Sequence, residues 1–142
     1  MIVKVRLEHP KAKMPKFQNS TDAGADLYAA RIVKKGLFSI WYGLGFKTQI
    51  PRGNYGWIVP RSSISKMGLQ LANSPGTIDS NYRNEWQVRF NYTLKGFFTR
   101  KKYKVGDRIA QVIMAGKPTV EYRKGKRLTK TTRKGGFGST GK

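Results

Sequence analysis

Residues 59–86 read VPRSSISKMGLQLANSPGTIDSNYRNEW, and the rest of the 142-residue chain is organised around them. An arginine beside two hydroxyls, Arg61, Ser62 and Ser63, suits a phosphate group. A short apolar strand, Leu69–Leu71, follows, and then a turn made of Asn73, Ser74, Pro75 and Gly76. Proline presets φ and glycine accepts positive φ, so the turn predicts a hairpin over Leu71–Ile78. Its main-chain N–H and C=O groups, with the Asn73 amide, can meet a small planar molecule. Past Ile78, the Asp79 carboxylate can hold a water and Tyr82 offers a flat face.

Outward from this stretch the chain alternates. Val3, Val5 and Leu7 against Lys4 and Arg6 predict a half-buried strand over Ile2–Leu7. Strands are expected at Leu37–Trp41, Gly43–Ile50 and Tyr55–Val59, separated by turns at Lys34–Gly36 and Pro51–Asn54. Pro60–Gly68 is the one place where a helical turn is expected. Glu85–Thr93 puts Trp86, Val88, Phe90 and Tyr92 on one face and Gln87, Arg89 and Asn91 on the other. Gly106–Ile113 and Thr119–Arg123 read as the last strands. With sixteen glycines and an apolar fraction of 38%, the pattern is that of one all-β domain over residues 1–123, followed by a flexible glycine-rich arm over 124–142. Phe97 and Phe98 beside Arg100, Lys101 and Lys102 read as a core-facing pair next to a solvated turn, or as a surface for single-stranded nucleic acid. His9 reads as an ordinary surface histidine.

Charge is the outlier, with 29 Lys and Arg against 7 Asp and Glu, a net +22 that favours polyanionic company. Non-specific adhesion to nucleic acid is expected from it, with solubility as the simpler alternative. Without cysteine there is no disulfide framework and no thiolate metal site. The most apolar run, Gly36–Phe46, falls short of the roughly 20 residues of a membrane helix, and the N-terminus lacks the pattern of a signal peptide. A soluble intracellular protein is expected, in the cytoplasm or, for a viral protein, in a host cell.

Asp22 and Asp26 lie in Thr21–Ala29, which alone reads as a turn whose side chains cap local backbone before a strand. The tail, Arg133–Lys142, contains GFGSTGK, which partly fits two phosphate-loop patterns that depend on a following helix. In this sequence Lys142 is the final residue, so neither loop is expected. The residue types still suit phosphate: glycines such as Gly138 let backbone N–H groups approach, Ser139 and Thr140 donate, Arg133 neutralises and Phe137 can stack on a base.

In this order, the Thr21–Ala29, Arg61–Ser63, Asn73–Tyr82, Gly106–Ile113 and Arg133–Thr140 segments resemble the five motifs of the homotrimeric all-β dUTPases, which hydrolyse dUTP to dUMP and pyrophosphate. The resemblance implies a jelly-roll-like distorted barrel and a Mg²⁺-assisted reaction. Asp79 would accept the proton of the water attacking the α-phosphorus. Arg61, Ser62, Ser63, Gln111, Arg133, Ser139 and Thr140 would hold the triphosphate, while Asn73, Gly76, Ile78 and Tyr82 would select the deoxyuridine. Asp26 would hold waters around the metal, and Phe137 and Gly138 would close over the site of a neighbour in the trimer. The chain departs from the common pattern at Asn81, usually an acid, at Asn84, usually glycine, and in an Arg133–Phe137 spacing one residue short. Two other readings stand beside it: a dCTP deaminase of the same fold, and a basic nucleic-acid-binding or regulatory protein on that fold.

Overall fold

The structure is a computed structural model and describes residues 1–132. Alternation decides which face of each strand is buried. In β1 (Lys4–Leu7) Val5 turns towards the core and Lys4 and Arg6 away from it. The strands that follow are β2 (Ala25–Tyr28), β3 (Arg31–Lys35), β4 (Ser39–Gly43), β5 (Phe46–Gln49), β6 (Asn54–Pro60), β7 (Leu69–Leu71), β8 (Gly76–Ile78), β9 (Gln87–Tyr92) and β10 (Arg108–Gly116). Of these, β5, β7 and β9 alternate in the same way, whereas Ala25, Asp26 and Leu27 of β2 are all buried and β3 is largely exposed. β9 is the clearest case, with Val88 and Phe90 buried and Gln87 and Arg89 exposed.

Among the described residues all pairings are antiparallel and form three sheets, ordered β2-β10-β6-β8, β3-β4-β9-β7 and β1-β5. Leu27, Ile58 and Val112 from the first sheet meet Ile40, Tyr42, Val88 and Phe90 from the second in one core that also takes Phe46 and Trp86. The result is an all-β, jelly-roll-like domain. Among the described residues, no helix is long and apolar enough to cross a membrane.

Three local expectations are corrected. Pro60–Gly68 does hold a single 3-10 turn, Ser62–Lys66, but the α-helix of the described chain is α1 (Leu94–Thr99), in the segment read as a solvated turn. Thr93 caps it by accepting the Gly96 N–H at 3.2 Å, and Gly96 lies so close to Gly68 that an added Cβ would stand 1.8 Å from the Gly68 carbonyl oxygen. Phe97 is half-buried, whereas Phe98 is exposed. Next, β7 and β8 do not pair as a hairpin: β7 joins β9 in one sheet and β8 joins β6 in the other, so the Asn73–Gly76 turn carries the chain from sheet to sheet. Finally, Thr119–Arg123 is not a strand: it joins no ladder among the described residues, and Val120 and Tyr122 stay exposed. Residues 124–132, the start of the expected arm, carry no strand or helix and are exposed.

Candidate active site

Asp26 is the best-fixed polar residue of the domain. It stands in β2 with its Cα opposite Gln111 of β10, and its N–H and C=O pair with Lys16 at 2.8 and 3.2 Å. Only 1% of its surface is exposed. A buried carboxylate is tolerated only when paired, and two arginines pair it: Arg61 Nε donates to Oδ1 and Arg108 Nη1 to Oδ2, each at 3.1 Å. Pro60 at the end of β6 lies opposite Ala110, so the next residue, Arg61, falls beside Asp26. The β10–β2 ladder slips between Arg108 and Ala110, a bulge of the kind that re-aims side chains next to functional sites.

Arg61 Nη1 also donates to Ser63 Oγ and to the Arg108 carbonyl oxygen, both at 3.4 Å. One carboxylate against two guanidiniums leaves this surface positive. Exposed Ser62 and half-buried Ser63 and Gln111 add donors to it. Gln111 lies across Gly24, where a Cβ would meet its own Cβ at 3.2 Å, so position 24 must stay small. Beneath the cluster, burial pushes the Tyr103 phenol above its ordinary range, against the opposing pull of Ser63 and Arg61 beside it.

The second group sits around Asp79, which is exposed and forms no ion pair among the described residues. It lines an open groove of about 770 Å³ with Tyr55, Trp57, Thr77 and Lys117. Ile78 is half-buried against the core, and buried Gly76 is pressed to the Asn73 carbonyl, 3.3 Å from where a Cβ would stand. The following turn is held by Tyr82, whose N–H donates to the Asp79 carbonyl at 3.1 Å and whose hydroxyl donates to the Glu85 carbonyl at 3.2 Å. Arg83 Nη1 donates to the Ser80 carbonyl at 2.7 Å and tightens it. Asn81 and Asn84 are exposed on this turn.

One chain does not bring the two groups together. Val59 pairs with Gln111, whereas Gly56, three residues back along β6, pairs with Ile78. At about 3.3 Å per residue and 4.8 Å per strand, Asp79 lies on the order of 15 Å from Gln111 and 20 Å from Asp26. A general base must reach its proton directly or through one water, so a phosphate chain held at Arg61, Ser62 and Gln111 is out of range of the same chain's Asp79.

Asp22 is the local cap expected of the first segment, its carboxylate accepting the Gln18 and Asn19 N–H groups at 3.2 and 2.9 Å. Asp107 ties its turn by accepting the Lys104 N–H at 2.7 Å. Arg108 and Tyr103 belong to the cluster and were not legible as such, although Arg108 stands inside the same Gly106–Ile113 segment as Gln111. Arg133, Phe137, Gly138, Ser139 and Thr140 lie outside the described residues.

The dUTPase family model matches residues 10–141. A protein of Clostridium tetani named deoxyuridine 5'-triphosphate nucleotidohydrolase is 34% identical over 99% of this chain and 97% of its own length. Proteins of the same name from a Wolbachia of Brugia malayi and from Escherichia phage T5 are 39% and 34% identical, over 96% and 99% of this chain and 91% and 99% of their own. Among solved structures, a Staphylococcus bacteriophage 80alpha dUTPase mutant with dUpNHpp superposes with a TM-score of 0.81 at 21% identity, over 99% of this chain and 98% of that one. A mutant dUTPase of phage phi11 of S. aureus, described with a structural Mg(II) ion, gives 0.74 at 21% identity over 90% and 99%.

Proposed function

The chain belongs to the dUTPase family, and on that premise we propose that it hydrolyses dUTP to dUMP and pyrophosphate at sites shared between copies in a homotrimer. The observation that carries the reading is the split just described: an anion-seeking arginine cluster and an unpaired carboxylate in a groove, too far apart in one chain to act on one nucleotide. A second copy, facing its Asp79 groove to the cluster, completes the site, as closed symmetric oligomers allow.

In this reading Arg61, Ser62, Ser63 and Gln111 hold the phosphates. Asp79 of the facing copy takes a proton from the water that attacks the α-phosphorus. The new P–O bond forms as the bond to the β-phosphate breaks, and pyrophosphate leaves. General-base help of this kind contributes roughly 10²- to 10⁴-fold, and the fixed positive charge lowers the barrier further because it needs no reorganisation. Asn73, Gly76 and Ile78 select uracil, with Tyr82 set against a ribose 2'-hydroxyl. Residues 124–142, bearing Arg133, Phe137, Gly138, Ser139 and Thr140, form the arm that closes the site.

A Mg²⁺ ion would supply positive charge to the triphosphate oxygens, and Asp26 is the residue that would hold it. Among the described residues no three His, Cys, Asp or Glu side chains converge to hold a metal, and both oxygens of Asp26 already accept from guanidiniums. With both its oxygens engaged, Asp26 would hold such an ion through water and not directly. A nucleoside triphosphate substrate implies work inside a cell.

Pyrophosphate release with dUTP, dCTP, dTTP and UTP tests the reading. Release from dUTP alone is expected. Ammonia release from dCTP would identify the deaminase of the same fold instead, and no turnover of any of the four would leave a binding protein.

A further inference from the structure

The face formed by the β3–β4 turn and α1 has no place in the proposed hydrolytic site, and it carries a cluster of exposed aromatic rings. Phe38 and Phe97 stack with centroids 5.7 Å apart, and Phe98 stands edge-on to Phe97 at 5.6 Å. Phe38 is 66% exposed, Phe98 75% and Leu94 77%. A contiguous apolar patch of this kind on a soluble domain ordinarily marks a contact surface. With Tyr92 these residues line a shallow hollow of about 340 Å³.

Three cations, Lys35, Arg100 and Lys102, lie beside it. The Arg100 guanidinium lies 4.3 Å over the Phe97 ring, and its Nη1 donates to the Leu37 carbonyl at 2.7 Å, fixing α1 to the β3–β4 turn. Arg100 ends α1 as its left-handed C-cap, at φ +51°, with its N–H on the Gly96 carbonyl. Lys35 faces Lys102 closely enough that the charge of Lys102 holds the Lys35 ammonium below its ordinary value. None of the six ion pairs among the described residues involves Lys35, Arg100, Lys101 or Lys102. Like charges held together beside bare aromatic rings call for a ligand that brings both anions and flat faces.

We propose that this face binds single-stranded nucleic acid, its bases stacking on Phe38 and Phe98 and its phosphates lying along Lys35, Arg100 and Lys102. A single strand combines regularly spaced phosphates with unstacked bases. Duplex conceals its base faces, a lipid surface offers no rings to stack, and an acidic protein supplies charge without an array of flat groups.

The test uses the full chain and a fluorescein-labelled mixed-sequence 20-mer, single-stranded and as duplex, with anisotropy followed from low to physiological salt. The single strand should bind more tightly. Phe98→Ala should weaken it by about tenfold and leave the duplex unchanged, since one stacked base is worth roughly that factor. Phe98→Tyr, which keeps a stacking face, should bind as the parent does. Replacing Lys35 and Lys102 together by Gln should lower the slope of log affinity against log salt by about 1.4, at roughly 0.7 per phosphate on a single strand. dUTP turnover should be unchanged in all three variants, so failure here is distinct from failure of the hydrolytic reading. The proposal is overturned by equal single-strand affinity in Phe98→Ala, by duplex bound as tightly as single strand, or by binding to phosphatidylserine vesicles or poly-glutamate that falls with Phe98→Ala while single-strand binding does not. A change of oligomeric state in Phe98→Ala would overturn it too, by making the patch an interface between copies.

Discussion

Replacing Asp26 by Asn keeps the shape of the side chain and removes the charge that two guanidiniums share. The amide oxygen can still accept from Arg61 Nε, now without the charge. The amide NH₂ faces Arg108, donor against donor, at a position only 1% exposed. A buried donor left unsatisfied costs about 1–3 kcal/mol, and a weakened charge-assisted bond roughly 1 kcal/mol more. The Arg108 side chain is 44% exposed, so water replaces much of what it loses, and its own pair contributes no more than about 1 kcal/mol. The sum is about 2–5 kcal/mol, which lowers the melting temperature of a domain of this size by roughly 6–20 °C. Differential scanning calorimetry without nucleotide or Mg²⁺, at fixed protein concentration, measures it. A shift below about 2 °C would mean that the ion pairs do not organise this end of the sheet, and that Asp26 matters only towards a bound metal.

Gly96→Ala should be among the most damaging small substitutions, because its Cβ meets the Gly68 carbonyl oxygen at 1.8 Å and α1 must move away; a loss of more than about 2 kcal/mol in urea denaturation is expected, and a neutral result would contradict the packing of α1 on Gly68. Burial holds the Tyr42 phenol above its unfolded value, so its stabilisation is complete below pH ~10 and is lost as pH rises towards the folded value, at up to about 1.4 kcal/mol per pH unit. Tyr42→Phe should therefore show a shallower alkaline loss of stability than the parent between pH 9.5 and 11.5, and parallel curves would contradict the assignment. Removal of residues 134–142 should abolish or strongly reduce dUTP turnover while leaving the thermal transition within about 2 °C, whereas an early melt would make that segment structural.

What could be read before folding was whatever depends on nearest neighbours. The period-2 run through Trp86, Val88 and Phe90 found β9. Partners were another matter. The Asn73–Gly76 turn bends the chain as its residues require, yet β7 and β8 pair in different sheets, because pairing is settled by distant strands. Alternation at Val120 and Tyr122 describes a face that pairs with no strand and stays exposed among the described residues. Gly96 hid α1, since glycine is a poor helix former and its reason for being there is the close approach of Gly68. Arg108 escaped notice because the bulge that turns it onto Asp26 is a slip of register between distant strands, with no mark in either segment alone.

Subunit mixing tests the shared site most directly. In the proposed reading Asp79→Asn lacks the base and Arg61→Ala lacks a phosphate anchor, so each variant alone should release little pyrophosphate from dUTP. When the two are unfolded together in equal amounts and refolded, a site whose cluster comes from an Asp79→Asn chain and whose base comes from an Arg61→Ala chain is intact. Random assembly makes about one site in four of this kind, so roughly a quarter of the parent activity should return. Activity no higher than the mean of the two variants would place Asp79 and Arg61 in one chain's site and contradict the account.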